Sequence, residues 1–239
     1  MTDIRWLGQA CFELSDGSTQ VVIDPFLKPN SPTAPVSADE LEGTNVILVS
    51  HGHIDHMADV IDLAKNTGAT VAAIVELAHW FGDQGVENTV DPNLGGTVEF
   101  DGGWAKLVQA FHTNTISGGG DDPFTASTGI MIGLSGGWVV NLGGKTIYHT
   151  GDTCLFGDLR LIGERHSPDV ALIPIGGHYT MDRHDAVVAA EMIGAGTVIP
   201  MHYNTFPAIE TDAEAFKSDV ESQTDSQVVV LDPGETHSL

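Results

Sequence analysis

The chain has 239 residues, 41% of them hydrophobic, and carries 33 acids against 9 lysines and arginines for a formal charge of −24. That length supports one large α/β domain or two small ones. It contains no run approaching the roughly 18 apolar residues of a membrane span, and a field this negative disfavours nucleic acid and anionic membranes as partners.

Two causes fit such a charge, a cationic partner or a salt-loaded cytoplasm, and the scattered acids, which form no tail, favour the second. At molar salt a Debye length of about 3 Å screens their repulsion. The opening Met1-Thr2-Asp3-Ile4-Arg5-Trp6 lacks a basic stretch followed by an apolar one, so no secretory signal is expected. Cys11 and Cys154 form no disulfide framework, and a cytoplasmic setting is the default.

In chain order, short β-type runs are expected at 4–7, 11–14, 21–23 and 46–49. A Pro-rich surface excursion at 28–38 interrupts them. A helix at 56–66 closed by Gly68, a strand at 70–75, a helix at 76–83 and a strand at 106–111 follow. The Gly- and Asp-rich stretch 117–127 reads as loop. Residues 129–149 read as a meander of strands at 129–134, 138–142 and 145–149, with Ser135-Gly136-Gly137 and Gly143-Gly144 as turns. The remainder predicts helices at 155–164, 182–193 and 210–222, the last capped by Thr211 or Asp212, and strands at 170–173, 197–200 and 227–231. Strands outnumber helices, which fits a layered α/β or α+β architecture better than a purely parallel sheet.

The densest chemistry lies in His51-Gly52-His53-Ile54-Asp55-His56. His51 and His53 are two apart, so an extended segment points both imidazoles to one side. Imidazole and carboxylate together suit zinc, iron or manganese. Further donors recur in matching contexts: His51, His112, Asp152 and His202 each follow an apolar run that reads as a buried strand. Strand-end loops converging at one sheet edge would build a cleft there. Five histidines (His51, His53, His56, His112, His202) and two carboxylates (Asp55, Asp152) exceed one tetrahedral zinc and match two metals.

This order and spacing resembles the metallo-β-lactamase superfamily: His-x-His-x-Asp-His, a later His, a Gly-Asp and a C-terminal His. The stretches 4–10, 23–26, 176–181 and 201–206 are similar to the metal-dependent hydrolases related to ascorbate-6-phosphate lactonases. The resemblance implies one domain over 1–239 with an αββα four-layer sandwich of mixed sheets. It also implies ligand roles: His51, His53 and His112 on one divalent metal, Asp55, His56 and His202 on a second, and Asp152 bridging. Zinc is the first choice of metal, with manganese or iron as alternatives.

The expected activity is a metal-dependent hydrolase in which a metal-bridged hydroxide attacks a small ester, lactone or phosphoester. Asp55 would orient the nucleophile or carry a proton, and His178, which follows an apolar run and two glycines, would face the same cleft for substrate contact or proton transfer. Alternatives are a phosphodiesterase or nuclease, disfavoured by the scarcity of basic residues, and an iron-dependent redox enzyme. A small-molecule substrate is expected and no nucleic-acid or membrane partner; the oligomeric state is open, a homo-oligomer included. Asp24 reads either as a turn carboxylate or as one orienting a ligand histidine. Tyr179 and Tyr203 read as packing residues ahead of oxyanion donors, Cys154 as a small buried residue ahead of an oxidation-sensitive one, and Trp80-Phe81 as core or pocket wall.

Overall fold

The computed structural model describes residues 1–117 and 127–239. The expected loop at 117–127 therefore lies almost wholly outside the described residues. In chain order the strands are β1 (Asp3–Trp6), β2 (Phe12–Ser15), β3 (Gln20–Ile23), β4 (Val46–Leu48), β5 (Thr70–Ala72), β6 (Thr89–Val90), β7 (Thr97–Phe100), β8 (Gly103–Gln109), β9 (Thr115–Ser117), β10 (Ser127–Met131), β11 (Gly136–Leu142), β12 (Lys145–His149), β13 (Val170–Pro174), β14 (Thr197–Met201), β15 (Gln227–Val228) and β16 (Thr236–Ser238). The helices are α1 (Ile54–Met57), α2 (Val60–Thr67), α3 (Val75–Asp83), α4 (Leu159–His166), α5 (Arg183–Ile193) and α6 (Ala213–Gln223).

Two seven-stranded mixed sheets form, ordered β16-β1-β2-β3-β4-β5-β6 and β15-β14-β13-β12-β11-β8-β7. Each is half antiparallel and half parallel: β3 to β6 run parallel in the first, β12 to β15 in the second. The sequence explains the division. β1 and β2 alternate buried and half-buried residues, as a strand with two unlike faces does, whereas Val46-Ile47-Leu48 and Val170–Pro174 are buried throughout. Those continuous apolar runs sit between the other sheet and a helical layer. Helices α2 and α3 accompany the first sheet, and α5 and α6 the second. Among the described residues no helix is long and apolar enough to cross a membrane.

Helix ends follow local chemistry. Asp182 caps α5 by accepting from the His184 and Asp185 amides, and Asp212, not Thr211, caps α6 by accepting from Ala215. α2 closes on Gly68 at φ +72, the left-handed position that glycine takes without a Cβ clash.

Several expectations need correction. The helix expected at 56–66 is split into α1 and α2, because the Asp59 carboxylate turns away to accept from Leu27 N (2.6 Å) and Asn30 Nδ2 (2.9 Å). This ties the break to the Pro-rich loop, whose Ala34 and Val36 are buried rather than carried on a free excursion. Strand β5 stops at Ala72 because α3 begins at Val75, and α4 begins four residues later than expected. The short strands β6, β7, β9 and β16 lack the apolar length that marks a strand in sequence.

The meander fails at its first turn. β10 pairs with β9, and Gly136 and Gly137 lie inside β11 between β8 and β12. They are there for close approach: a Cβ on Gly137 would stand 2.7 Å from the carbonyl oxygens of both His149 and Thr150. Gly137→Ala is therefore expected to destabilise the protein by about 2–4 kcal/mol, read as a lowered urea midpoint.

Asp59 supplies a second expectation. Its side chain is buried, and burial raises the carboxyl to about 6 from an ordinary 3.8. A carboxyl with a raised folded pKa binds more protons folded than unfolded, so stability falls as pH rises from about 3.8 through about 6. Asp59→Asn removes that dependence. Relative to the native chain it should gain about 2–3 kcal/mol between pH 4 and pH 8 in urea unfolding.

Candidate metal centre

The seven donors converge where the two sheets meet. β4 delivers His51, and the following turn and α1 carry His53, Asp55 and His56. β8 leads to His112, β12 to Asp152 and β14 to His202. The sequence reading placed these ends on one sheet edge; in fact β4 belongs to the first sheet and the other three to the second. The sheets are pinned together beside the site. His202 N donates to Gln9 O (2.9 Å), Gly136 N to Ser50 O (3.1 Å), and His149 Nε2 to Ala10 O (2.8 Å). The last bond gives buried His149 a structural role.

Asp152 Oδ2 is the hub. It lies 3.1 Å from His202 Nε2, 3.3 Å from His56 Nε2, 3.6 Å from His112 Nε2 and 3.9 Å from His51 Nε2. Asp55 Oδ2 stands 3.4 Å from His202 Nε2 and 3.6 Å from His56 Nε2. His53 Nδ1 lies 3.1 Å from His51 Nε2 and 3.2 Å from His112 Nε2. Three overlapping donor triads result: His51, His53 and His112; His51, His56 and Asp152; Asp55, His56 and His202. Within each, the donor atoms lie within 4.8 Å of one another.

A surrounding set of hydrogen bonds orients these rings. Asp24, held at φ +48, accepts from Ser50 N (2.7 Å), Ser50 Oγ (2.6 Å) and His56 Nδ1 (2.7 Å). Asp24 thus orients His56, one of the histidines of the donor cluster. Because Ser50 Oγ gives its hydrogen to Asp24, it accepts from His51 Nδ1 (3.0 Å). Both histidines then turn Nε2 toward Asp152. Gln9 Nε2 donates to Asp55 Oδ2 (2.8 Å). His202 adopts φ +54. Its carbonyl lies 2.3 Å from where a Cβ on Gly176 would stand, so only glycine fits opposite.

The charges divide by environment. Burial and the neighbouring imidazoles hold His51 and His112 below the usual histidine range and His53 at about 4. Burial also opposes charge on His56 and His202, but Asp152 and Asp55 outweigh it, raising His56 well above its ordinary value and His202 to about 9. Those two imidazoliums in turn hold Asp152 and Asp55 below the usual carboxylate range against their own burial.

This donor set fits divalent cations. His56 Nε2 and Asp152 Oδ1 are buried without a hydrogen-bond partner, and such a group costs about 1–3 kcal/mol when left unpaired. Five imidazoles and two carboxylates in one cluster, four of them buried and His53, Asp55 and His112 half-buried, are the nitrogen and oxygen ligands that zinc, manganese or iron accepts.

His178 is the expected site residue that the cluster does not include. It follows β13, between the loops that carry Asp152 and His202, but it is exposed, at φ +51, with its ring against Tyr179 at 4.4 Å. Two packing expectations fail nearby. Tyr179 is 56% exposed, and Cys154 is exposed because Thr153, not Cys154, turns its side chain inward to meet Phe111 N. Tyr203 does pack, stacked on Trp6 at 5.3 Å.

Gln9, Ser50 and Asn114 escaped the sequence reading. Gln9 lies in the 4–10 stretch and Ser50 directly precedes His51, but neither carries a motif of its own. Asn114 accepts from Gly52 N (2.8 Å) and donates to the Ile132 and Leu134 carbonyls (both 2.9 Å), clamping the His51–His53 turn to the loop after β10.

Fold and site together define a metallo-β-lactamase-type protein, and the comparisons agree. The family model of the beta-lactamase superfamily domain matches residues 19–203. A UPF0173 metal-dependent hydrolase of Shouchella clausii is 42% identical over 99% of both chains, and one of Desulforamulus reducens is 47% identical over 97% of both. Among solved structures, the metallo hydrolase Igni18 of Ignicoccus hospitalis superposes with a TM-score of 0.84 at 32% identity, covering 99% of this chain and 97% of that one. This chain belongs to the beta-lactamase superfamily and, within it, to the UPF0173 family.

Proposed function

We propose that this protein, whose UPF0173 relatives are named metal-dependent hydrolases, acts on a small ester, lactone or phosphoester. The observation that carries the reading is Asp152 Oδ2 within 3.9 Å of four imidazole nitrogens, at the junction of three donor triads. His51, His53 and His112 would hold one cation, Asp55, His56 and His202 a second, with Asp152 between them and zinc the first choice of metal. Bound divalent cations supply Lewis acidity: they acidify water and stabilise charge developing on a substrate oxygen.

The chain's own residues do the positioning. Asp24 fixes His56 through Nδ1, and Gln9 Nε2 holds Asp55 Oδ2, leaving Asp55 Oδ1 to carry a proton between the attacking water and the leaving group. His178 at the exposed rim contacts the substrate. The −24 charge is the mark of a salt-adapted surface.

A parallel assay tests the reading. Metal-reconstituted protein in high potassium chloride is offered a lactone and ester panel and a phosphodiester panel, with His51→Ala as the blank. Turnover on either panel that disappears in the variant is the expected result. Silence on both panels, with metal bound, contradicts it.

A further inference from the structure

The rim of the cleft has a character that the donors do not. Phe111, next to His112, is 51% exposed and meets the half-buried Phe156 ring at 5.0 Å. Leu134, on the loop that Asn114 clamps to the His51–His53 turn, is 61% exposed, and Tyr179 beside His178 is 56% exposed. Phe111 thus adjoins His112, Phe156 lies on the loop after Asp152, Leu134 on the segment clamped to the His51–His53 turn, and Tyr179 on the loop between those carrying Asp152 and His202. Exposed apolar groups concentrated at a cleft mark a binding surface.

The same rim lacks cations. Arg5, Lys145, Arg183 and Lys217 are held in ion pairs on other elements, with Glu13, Asp169, Asp219 and Glu221. Lys28, Lys65 and Lys106 donate to the carbonyls of Pro35, Gln84 and Gly95. The remaining two, Arg160 and Arg165, lie on α4, where Arg160 borders the groove at the C-terminal ends of α4 and α5. Residues 118–126 contain no lysine or arginine and two aspartates. A phosphate or carboxylate on the non-reacting part of a substrate would find no lysine or arginine here, only the exposed imidazole of His178, and an anion without a cationic partner is not taken out of water.

We infer that the substrate is an uncharged carbonyl compound, an ester or lactone, whose apolar chain or ring lies against Phe111, Leu134, Phe156 and Tyr179. This rests on the hydrolase reading and removes phosphoesters from it. In the reaction, water oxygen forms the new bond to the acyl carbon, the ester C–O bond breaks, and the proton that water loses ends on the leaving alcohol.

The test separates the inference from the reading beneath it. Zinc-loaded protein is assayed with 4-nitrophenyl acetate, 4-nitrophenyl octanoate and bis(4-nitrophenyl) phosphate, and calorimetry measures binding of 2-nonanone, a neutral ketone that cannot be hydrolysed. The octanoate is expected to exceed the acetate in kcat/KM by roughly tenfold or more, with the phosphodiester slowest. Phe111→Ala, a change at an exposed position, should remove most of the octanoate advantage through KM and weaken 2-nonanone binding roughly tenfold. Equal kcat/KM for the two esters, phosphodiester turnover above both, or 2-nonanone binding indifferent to Phe111→Ala overturns the inference while leaving a hydrolase in place. No turnover of any substrate by metal-loaded protein overturns both.

Discussion

Replacing Asp152 with alanine is expected to remove bound metal and lower turnover by at least about a thousandfold, the scale seen when one member of a catalytic unit is deleted. One carboxylate oxygen faces four imidazoles, so no other residue can take over the centre. Metal-free protein should also suffer. There His56 and His202 are held as imidazoliums largely by Asp152, and deleting it leaves buried charge under-compensated, a loss of about 3–5 kcal/mol.

The pH dependence of that loss has a definite sign. Asp152, with a lowered folded pKa, contributes above its ordinary 3.8 and loses its contribution as pH falls below it. His202, raised to about 9, contributes fully below 6.5 and loses its share as pH rises through about 9. The stability gap between the native chain and Asp152→Ala should therefore be widest near pH 4–6.5 and shrink on both sides. Urea unfolding of chelator-treated protein across that range measures it. A gap that is flat with pH would contradict this account of the charges.

Asp24→Asn carries the second large effect, although Asp24 touches no other donor than His56. Its two oxygens accept from Ser50 N, Ser50 Oγ and His56 Nδ1, all at 2.7 Å or less. An amide offers one acceptor in place of two and turns its NH2 toward groups that are themselves donors. His56 loses its orientation, and His51 loses the serine hydroxyl that fixes its tautomer. Zinc affinity in a competitive chelator titration should fall about 10–100-fold. Stability without metal should fall by about 2–4 kcal/mol. Unchanged zinc affinity would mean that the serine and the backbone alone hold the two rings.

The donors were legible in the sequence because the reason for their placement is local. A buried parallel strand is a continuous apolar run, and the residue just beyond its end is exposed to whatever lies at that sheet edge; His51, Asp152 and His202 each sit there. What failed depends on distant partners. Gly136 and Gly137 look like a turn because the chain alone does not show that β8 and β12 press against them from either side. Asp59 reads as part of one helix until Leu27 N is seen to claim its carboxylate. Gln9 and Asn114 reach the site through hydrogen bonds to Asp55 and Gly52, 46 and 62 positions away, and no periodicity encodes such a bond. Cys154 and Tyr179, both taken for packing residues, face outward on loops whose direction is set by neighbouring strand ends.

Anomalous diffraction at the zinc edge from crystals grown with zinc is the measurement that bears most directly on the centre. Two peaks are expected, one among His51, His53 and His112 and one among Asp55, His56 and His202, with Asp152 between them. A single peak, or peaks held by residues outside this set of seven, would contradict a paired centre built around Asp152.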